Sequence, residues 1–205
     1  MDTEWAKKVY NFYSGFYDAA FSWVVKPHLR KAFRELNLKG GEKILEIGIG
    51  TGLSLKYYPK DCFVTGVDLS PNMLKKAEDK ANNKNLANVK LHVMDATDLV
   101  FNNSSFDYII AGFVISVCST PHLVIKEMKR VLKDSGRIVF INHFMSKNTV
   151  VKKVEKTVNP LTKKIGWRMD ISIDDIFNDT GITLERVIKL NKIAPWSIVI
   201  ARKDF

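Results

Sequence analysis

From Glu42 onward, short β-branched runs alternate with helical patterns, and this alternation restricts the chain more than any other feature. Candidate strands are Lys43–Ile47, Phe63–Val67, Val89–Val93, Tyr108–Ala111, Arg137–Asn142, Ile182–Leu190 and Ser197–Ala201. Helical patterns fall between them at Leu53–Tyr58, Pro71–Asn82, Pro121–Leu132 and Ile173–Asp179. Strands separated by helices build βαβ units, so an α/β fold is predicted, with a seven-stranded, mostly parallel sheet and helices on both faces. Only Asn191–Trp196 separates the last two strands, which suggests a hairpin and a terminal antiparallel strand.

The first strand runs into a glycine-rich turn, Glu46-Ile47-Gly48-Ile49-Gly50-Thr51-Gly52. Glycines permit a tight turn and let backbone N–H groups approach a ligand closely. Dinucleotide sites space them G-x-G-x-x-G under a pyrophosphate. Here the spacing is G-x-G-x-G, and Glu46 precedes the first glycine. A carboxylate there repels a diphosphate and attracts an ammonium, which favours a nucleoside with a cationic amino-acid tail. A tight turn without a ligand is the plainer account of the glycines alone. The second strand ends at Asp68, where an α/β fold presents an acid to ribose hydroxyls. Ser70 and Pro71 then open a helix as N-cap and first residue. The third strand ends at Asp95-Ala96, suited to an adenine edge or, more simply, to a turn. Three acids at the carboxyl ends of successive strands mark the edge where open α/β sheets bind ligands.

Two segments lie outside the alternation. Over Glu4–Leu36, aromatic residues including Trp5, Phe12, Tyr13, Phe16, Tyr17 and Trp23 recur near helical spacing. Over Lys147–Lys164, Val150, Val154, Val158 and Leu161 form a stripe among six lysines, with Glu155 the only acid. This predicts a basic amphipathic helix, broken near Asn159-Pro160. Its valines fit a core-packed stripe under a solvated face, and its lysines fit docking on anionic lipid. The net charge of +10 calls for an anionic partner of some kind: nucleic acid, a phosphate-bearing substrate or an anionic membrane surface. The opening Met1-Asp2-Thr3-Glu4 gives no expectation of a secretory signal, and no apolar stretch approaches a bilayer-spanning length. Cys62 and Cys118 lack metal-ligand spacing, so no metal site is expected, and two thiols suit a reducing cytoplasm.

From Lys43 to His143 the sequence resembles the class I S-adenosylmethionine (AdoMet)-dependent methyltransferases. The matching segments are LEIGIGTG, VTGVDLSPNMLKKA, VMDATDL, FDYIIAGFVIS and EMKRVLKDSGRIVFINH. The resemblance implies a Rossmann-like fold with AdoMet as cofactor. Gly48, Gly50 and Gly52 would line its methionine portion over Glu46. Asp68 would bind the ribose, Leu69, Met73, Asp95 and Ala96 the adenine, and Phe113 would face the sulfonium. A narrower resemblance, to bacterial phosphatidylethanolamine N-methyltransferases, rests on the aromatic N-terminal helix with Tyr17-Asp18, LEIGIGTGLSL, Phe113-Val114-Ile115, Ile141-Asn142-His143 and Gly166-Trp167-Arg168. It implies one methyltransferase domain over 1–205. Residues 1–40 would form a lid or membrane segment and 41–143 the AdoMet-binding core. Residues 144–205 would form a substrate side with the basic helix and hairpin.

On that reading His143 is the candidate base for a substrate amine, Tyr13 and Tyr17 cover the site, and Arg168 holds a lipid phosphate. Each also has a structural account: a sheet-edge histidine, core-packed tyrosines, a solvated arginine. The expected partners are a phospholipid and an anionic membrane surface, at the cytoplasmic face of the inner membrane. The alternatives are a methyltransferase acting on a quinone, a small amine or RNA, and a membrane-binding protein without catalysis. Nucleic acid is the less favoured partner, because no appended RNA-binding module is visible.

Overall fold

The structure, a computed structural model, describes residues 25–146, 148–164, 168–178, 180–189 and 196–204. Helix α1 covers 25–36. Then follow β1 (Lys43–Ile47), β2 (Phe63–Asp68), α2 (Pro71–Asn83), β3 (Val89–Val93), β4 (Phe106–Gly112), α3 (Pro121–Val131), β5 (Leu132–His143), α4 (Thr149–Lys164), α5 (Ile173–Phe177), β6 (Ile182–Lys189) and β7 (Trp196–Lys203). The strands form one sheet in the order β3-β2-β1-β4-β5-β7-β6. β1 to β5 run parallel, while β7 lies antiparallel to both β5 and β6. The α/β fold with a mostly parallel seven-stranded sheet is therefore present. The terminal strand β7 is the antiparallel one, as expected, and it sits between β5 and β6.

The period-2 alternation of strand side chains divides the core in two. Leu45, Ile109, Ile138, Phe140 and Val199 face one side, where Val124, Ile125 and Met128 of α3 cover them with Ile176 of α5. Ile44, Ile110, Val139, Ile141 and Ile198 face the other, under α1 and α2. Their neighbours in sequence thus serve opposite layers, and the central strands read as continuous apolar runs. In α1, Val25, Leu29, Ala32, Phe33 and Leu36 are buried at helical spacing. Phe33 packs edge-on to Tyr58 with ring centroids 4.6 Å apart.

Two expectations change in detail. The helix expected over Leu53–Tyr58 is a short 3-10 turn, Leu55–Tyr57. The break expected near Pro160 does not occur, and α4 continues through it to Lys164. Proline lacks the N–H that would bond four residues back. Asn159 beside it is anchored instead, its Oδ1 accepting the Met169 N–H at 2.9 Å. The N-cap at Ser70 holds as read, its Oγ accepting the Met73 N–H at 3.3 Å.

Candidate active site

The strand order reverses between β1 and β4, and a cavity opens there at the carboxyl ends of the strands, the usual ligand position in such sheets. Its wall contains Glu46, Gly48, Gly50, Asp68, Leu69, Met73, Asp95, Ala96 and Phe113, which brings together nearly all the residues expected to hold AdoMet. Gly52 lies one step behind that wall, packed on Leu55 and Ala77 of α2. Val25 and Leu29 of α1 close part of the opening.

Gly48, Gly50 and Gly52 all have left-handed backbone, φ +67°, +55° and +71°. They are not interchangeable. A Cβ on Gly48 would collide with Val114 of the loop after β4. One on Gly52 would stand 2.7 Å from Leu55 Cδ1 and 3.1 Å from Ala77 Cα, a backbone atom. One on Gly50 would meet nothing nearer than the Gly48 carbonyl oxygen at 4.0 Å. Gly52→Ala is therefore expected to destabilise the fold by about 2–4 kcal/mol. Gly50→Ala carries only the backbone cost, about 1–2 kcal/mol. Urea unfolding midpoints of the two variants check the contrast, and equal losses would contradict it.

The three acids occupy different settings. Glu46 is buried, and its Oε2 accepts hydrogen bonds from Ser54 Oγ and Tyr58 Oη, both at 2.7 Å. Burial pushes its carboxyl up to about 7, against those two hydrogen bonds. Asp68 ties two turns together: its Oδ2 accepts the Gly50 N–H and its Oδ1 the Ser70 N–H, both at 2.9 Å. Burial raises its pKa too, opposed by these backbone donors. Each of its oxygens retains a second lone pair for a hydroxyl donor. Asp95 is partly a turn residue, its Oδ1 accepting the Thr97 N–H at 2.9 Å and Oγ1 at 2.8 Å. It also lines the cavity beside Ala96 and Met94.

Phe113 has left-handed backbone, φ +63°, unusual for a bulky residue. Its N–H donates to the Ile141 carbonyl at 2.7 Å, which fixes the turn after β4. Its ring lies edge-on to Trp196 at 5.0 Å between centroids. Such strain concentrates at ligand sites.

The residues expected on the substrate side fall elsewhere. His143 is not in the cavity wall. It is fully buried at the end of β5, with Nε2 3.3 Å from Glu155 Oε1 of α4. Burial holds its pKa below the usual histidine value, against the pull of Glu155. The imidazole expected as a base for the substrate amine thus lies behind the wall, against Glu155 of α4. Arg168 donates from Nε to Asp170 Oδ1 at 3.1 Å, and its backbone N–H donates to the Ser116 carbonyl at 2.9 Å. It stands beside the loop after β4 and outside the cavity wall. Tyr13, Tyr17, Gly166 and Trp167 lie outside the described residues.

Sequence reasoning missed Ser54, Tyr58, Glu155 and Trp196. Ser54 and Tyr58 reach Glu46 through the irregular turn after the loop, where no periodicity points at a partner. Glu155 had a signal, as the lone acid among lysines. It also accepts the Ser146 N–H at 2.9 Å. Glu155→Ala is expected to cost about 1–3 kcal/mol, because it leaves the part-buried Ser146 N–H without its acceptor, while Glu155→Gln costs less. Thermal or urea melts of both variants measure this, and an unchanged alanine variant would contradict it.

The family described as a methyltransferase domain matches residues 45–140. The chain is 37% identical over 164 residues to a phosphatidylethanolamine N-methyltransferase of Cereibacter sphaeroides, covering 80% of each chain. The protein belongs to the AdoMet-dependent methyltransferases. A demethylmenaquinone methyltransferase of Staphylococcus carnosus is 36% identical over 115 residues, 54% of this methyltransferase and 46% of that protein. The crystal structure of a putative methyltransferase from Bacillus halodurans superposes with a TM-score of 0.75 at 18% identity, covering 86% of this chain and 99% of that one. That likeness extends the Rossmann-like architecture across most of the methyltransferase.

The site fits AdoMet on its own chemistry. A carboxylate under the glycine loop suits an ammonium. Asp68 suits a ribose, and the Met73, Met94 and Phe113 walls suit an adenine and a sulfonium.

Proposed function

We propose that this methyltransferase N-methylates the ethanolamine headgroup of phosphatidylethanolamine at the cytoplasmic face of a membrane. The observation that carries the reading is the 37% identity to a phosphatidylethanolamine N-methyltransferase, sustained over 80% of both chains. The similarity to the quinone enzyme spans about half of each.

AdoMet, when bound, supplies an electrophilic methyl group on a sulfonium, so the protein's tasks are placement and exclusion of water. Gly48, Gly50 and Glu46 hold the amino-acid end, Asp68 the ribose, and Asp95 with Ala96 the adenine edge. Phe113 orients the reacting end through its fixed turn. An ethanolamine ammonium must lose a proton before it attacks, which at a lysine-like pKa costs about 4–5 kcal/mol at pH 7. A dry, apolar cavity offsets part of that cost by disfavouring the charged form. Tyr13 and Tyr17 are assigned to the cover of the site, and Arg168 to the lipid phosphate. His143 is assigned a positioning role, setting α4 through Glu155.

The experiment is incubation with phosphatidylethanolamine liposomes and methyl-labelled AdoMet. Label in the lipid fraction is the expected result. Label entering a demethylated quinone, and not the lipid, would replace this reading with ring methylation.

A further inference from the structure

Helix α4 is turned inside out. The two side chains it turns into the protein are polar, Glu155 at 4% and Asn159 at 7% exposed. Its apolar residues face outward: Val150 is 72% exposed, Val154 58% and Leu161 65%, with Val151 and Val158 beside them. At 100° per residue, positions 150, 154, 158 and 161 fall within an arc of about 80°. An ordinary surface helix packs such a stripe inward and shows its polar face to water. Here the reversal is held by specific contacts. Glu155 faces His143 at 3.3 Å and accepts the Ser146 N–H, and Asn159 accepts the Met169 N–H.

The outward side is also cationic. Lys153 and Lys156 are exposed, and the one acid of the helix points inward. A second copy of this chain would bring those lysines against their own symmetry mates, since an isologous contact pairs a patch with itself. An anionic bilayer surface meets both requirements, apolar insertion and cationic attraction. The placement agrees with this. α4 follows the carboxyl end of β5, at the edge of the sheet where the cavity opens. The chain after it returns along the cavity loop, through the Arg168 N–H to Ser116 and the Met145 N–H to Ile171 at 2.8 Å.

We propose that α4 is the membrane-docking element, inserting Val150, Val154, Val158 and Leu161 at the headgroup–acyl boundary with Lys153 and Lys156 among anionic headgroups. This deepens the proposed function and rests on it only for which lipid is methylated.

The test is flotation of the full chain with vesicles of phosphatidylethanolamine and phosphatidylglycerol, against vesicles of phosphatidylethanolamine and phosphatidylcholine, at low and high salt. Binding to the anionic vesicles, weakened by salt, is expected. Val154→Asp with Leu161→Asp should lower partitioning by about tenfold or more, with AdoMet affinity and melting temperature unchanged. Lys153→Glu with Lys156→Glu should lower it by at least about fivefold per lysine and flatten the salt dependence. The inference fails if the parent ignores anionic vesicles, if the aspartate pair binds them like the parent, or if the parent is a dimer that Val154→Asp disperses. Methyl transfer to phosphatidylethanolamine in detergent micelles separates the two ideas. Vesicle docking without micellar transfer would leave α4 as the anchor and overturn only the lipid substrate.

Discussion

An Asp68→Ala variant is expected to bind AdoMet about a hundredfold more weakly than the parent, or worse. The carboxylate accepts the Gly50 and Ser70 N–H groups, so it holds the glycine loop and the start of α2 in one frame. Its removal strips two part-buried donors of their acceptor, at about 1–3 kcal/mol each, and takes away the partner offered to the ribose. A factor of one hundred in Kd corresponds to about 2.7 kcal/mol, within that range. Asp68→Asn should fall between parent and alanine, because an amide has one acceptor oxygen and turns a donor toward the other N–H. Calorimetric titration with AdoMet and with its demethylated product measures the effect. An alanine variant binding within threefold of the parent would show that Asp68 does not frame the ligand.

The second large effect concerns Glu46 and pH. Burial holds its carboxyl up at about 7 in the folded chain, against an ordinary 4.5 when unfolded. A raised folded pKa stabilises while the proton is held. That contribution is fully present below pH 4.5 and is lost as pH rises through 7. At 1.36 kcal/mol per unit, the ligand-free protein loses about 3 kcal/mol across that window from this group. Asp68, also raised by burial, acts in the same direction, and His143, lowered, in the opposite one. Glu46→Gln isolates the term, because glutamine still accepts from Ser54 and Tyr58 but cannot titrate. Its stability should change less between pH 5 and 7 than the parent's, by about 2 kcal/mol. Binding gives the converse sign. An ammonium beside Glu46 favours the carboxylate, so AdoMet should expel roughly one proton at pH 6. Calorimetry in buffers of different ionisation enthalpy reads that proton. Equal proton release by parent and Glu46→Gln would remove Glu46 from the ligand's surroundings.

The sheet was readable because each strand carries its own evidence. Ile44 and Leu45, or Ile138 through Ile141, are apolar without interruption, the pattern of strands covered on both faces. The glycine loop was readable because left-handed φ at three nearby positions has few other solutions. The position of β7 was not, since a hairpin signal says that β6 and β7 pair but not which of them meets β5. The pairing of Glu46 with Tyr58, twelve residues on, depends on the course of an aperiodic turn. α4 was open in a different way. Its valine stripe and its polar face were both legible, but which of them faces the protein is decided by Glu155 and Asn159 reaching groups distant in sequence.

The slot between β5 and β6 has a bearing on how the chain reaches this arrangement. β5 ends at His143 and its outer neighbour begins at Trp196, about fifty residues later. Until that neighbour is made, the backbone of the Ile138–Ile141 stretch presents an unpaired, sticky border, and β6 emerges first with nowhere to attach. Early adhesion of β6 to the wrong edge is the misfolding route this topology invites, so chaperone dependence during synthesis should be governed by the arrival of Trp196–Lys203.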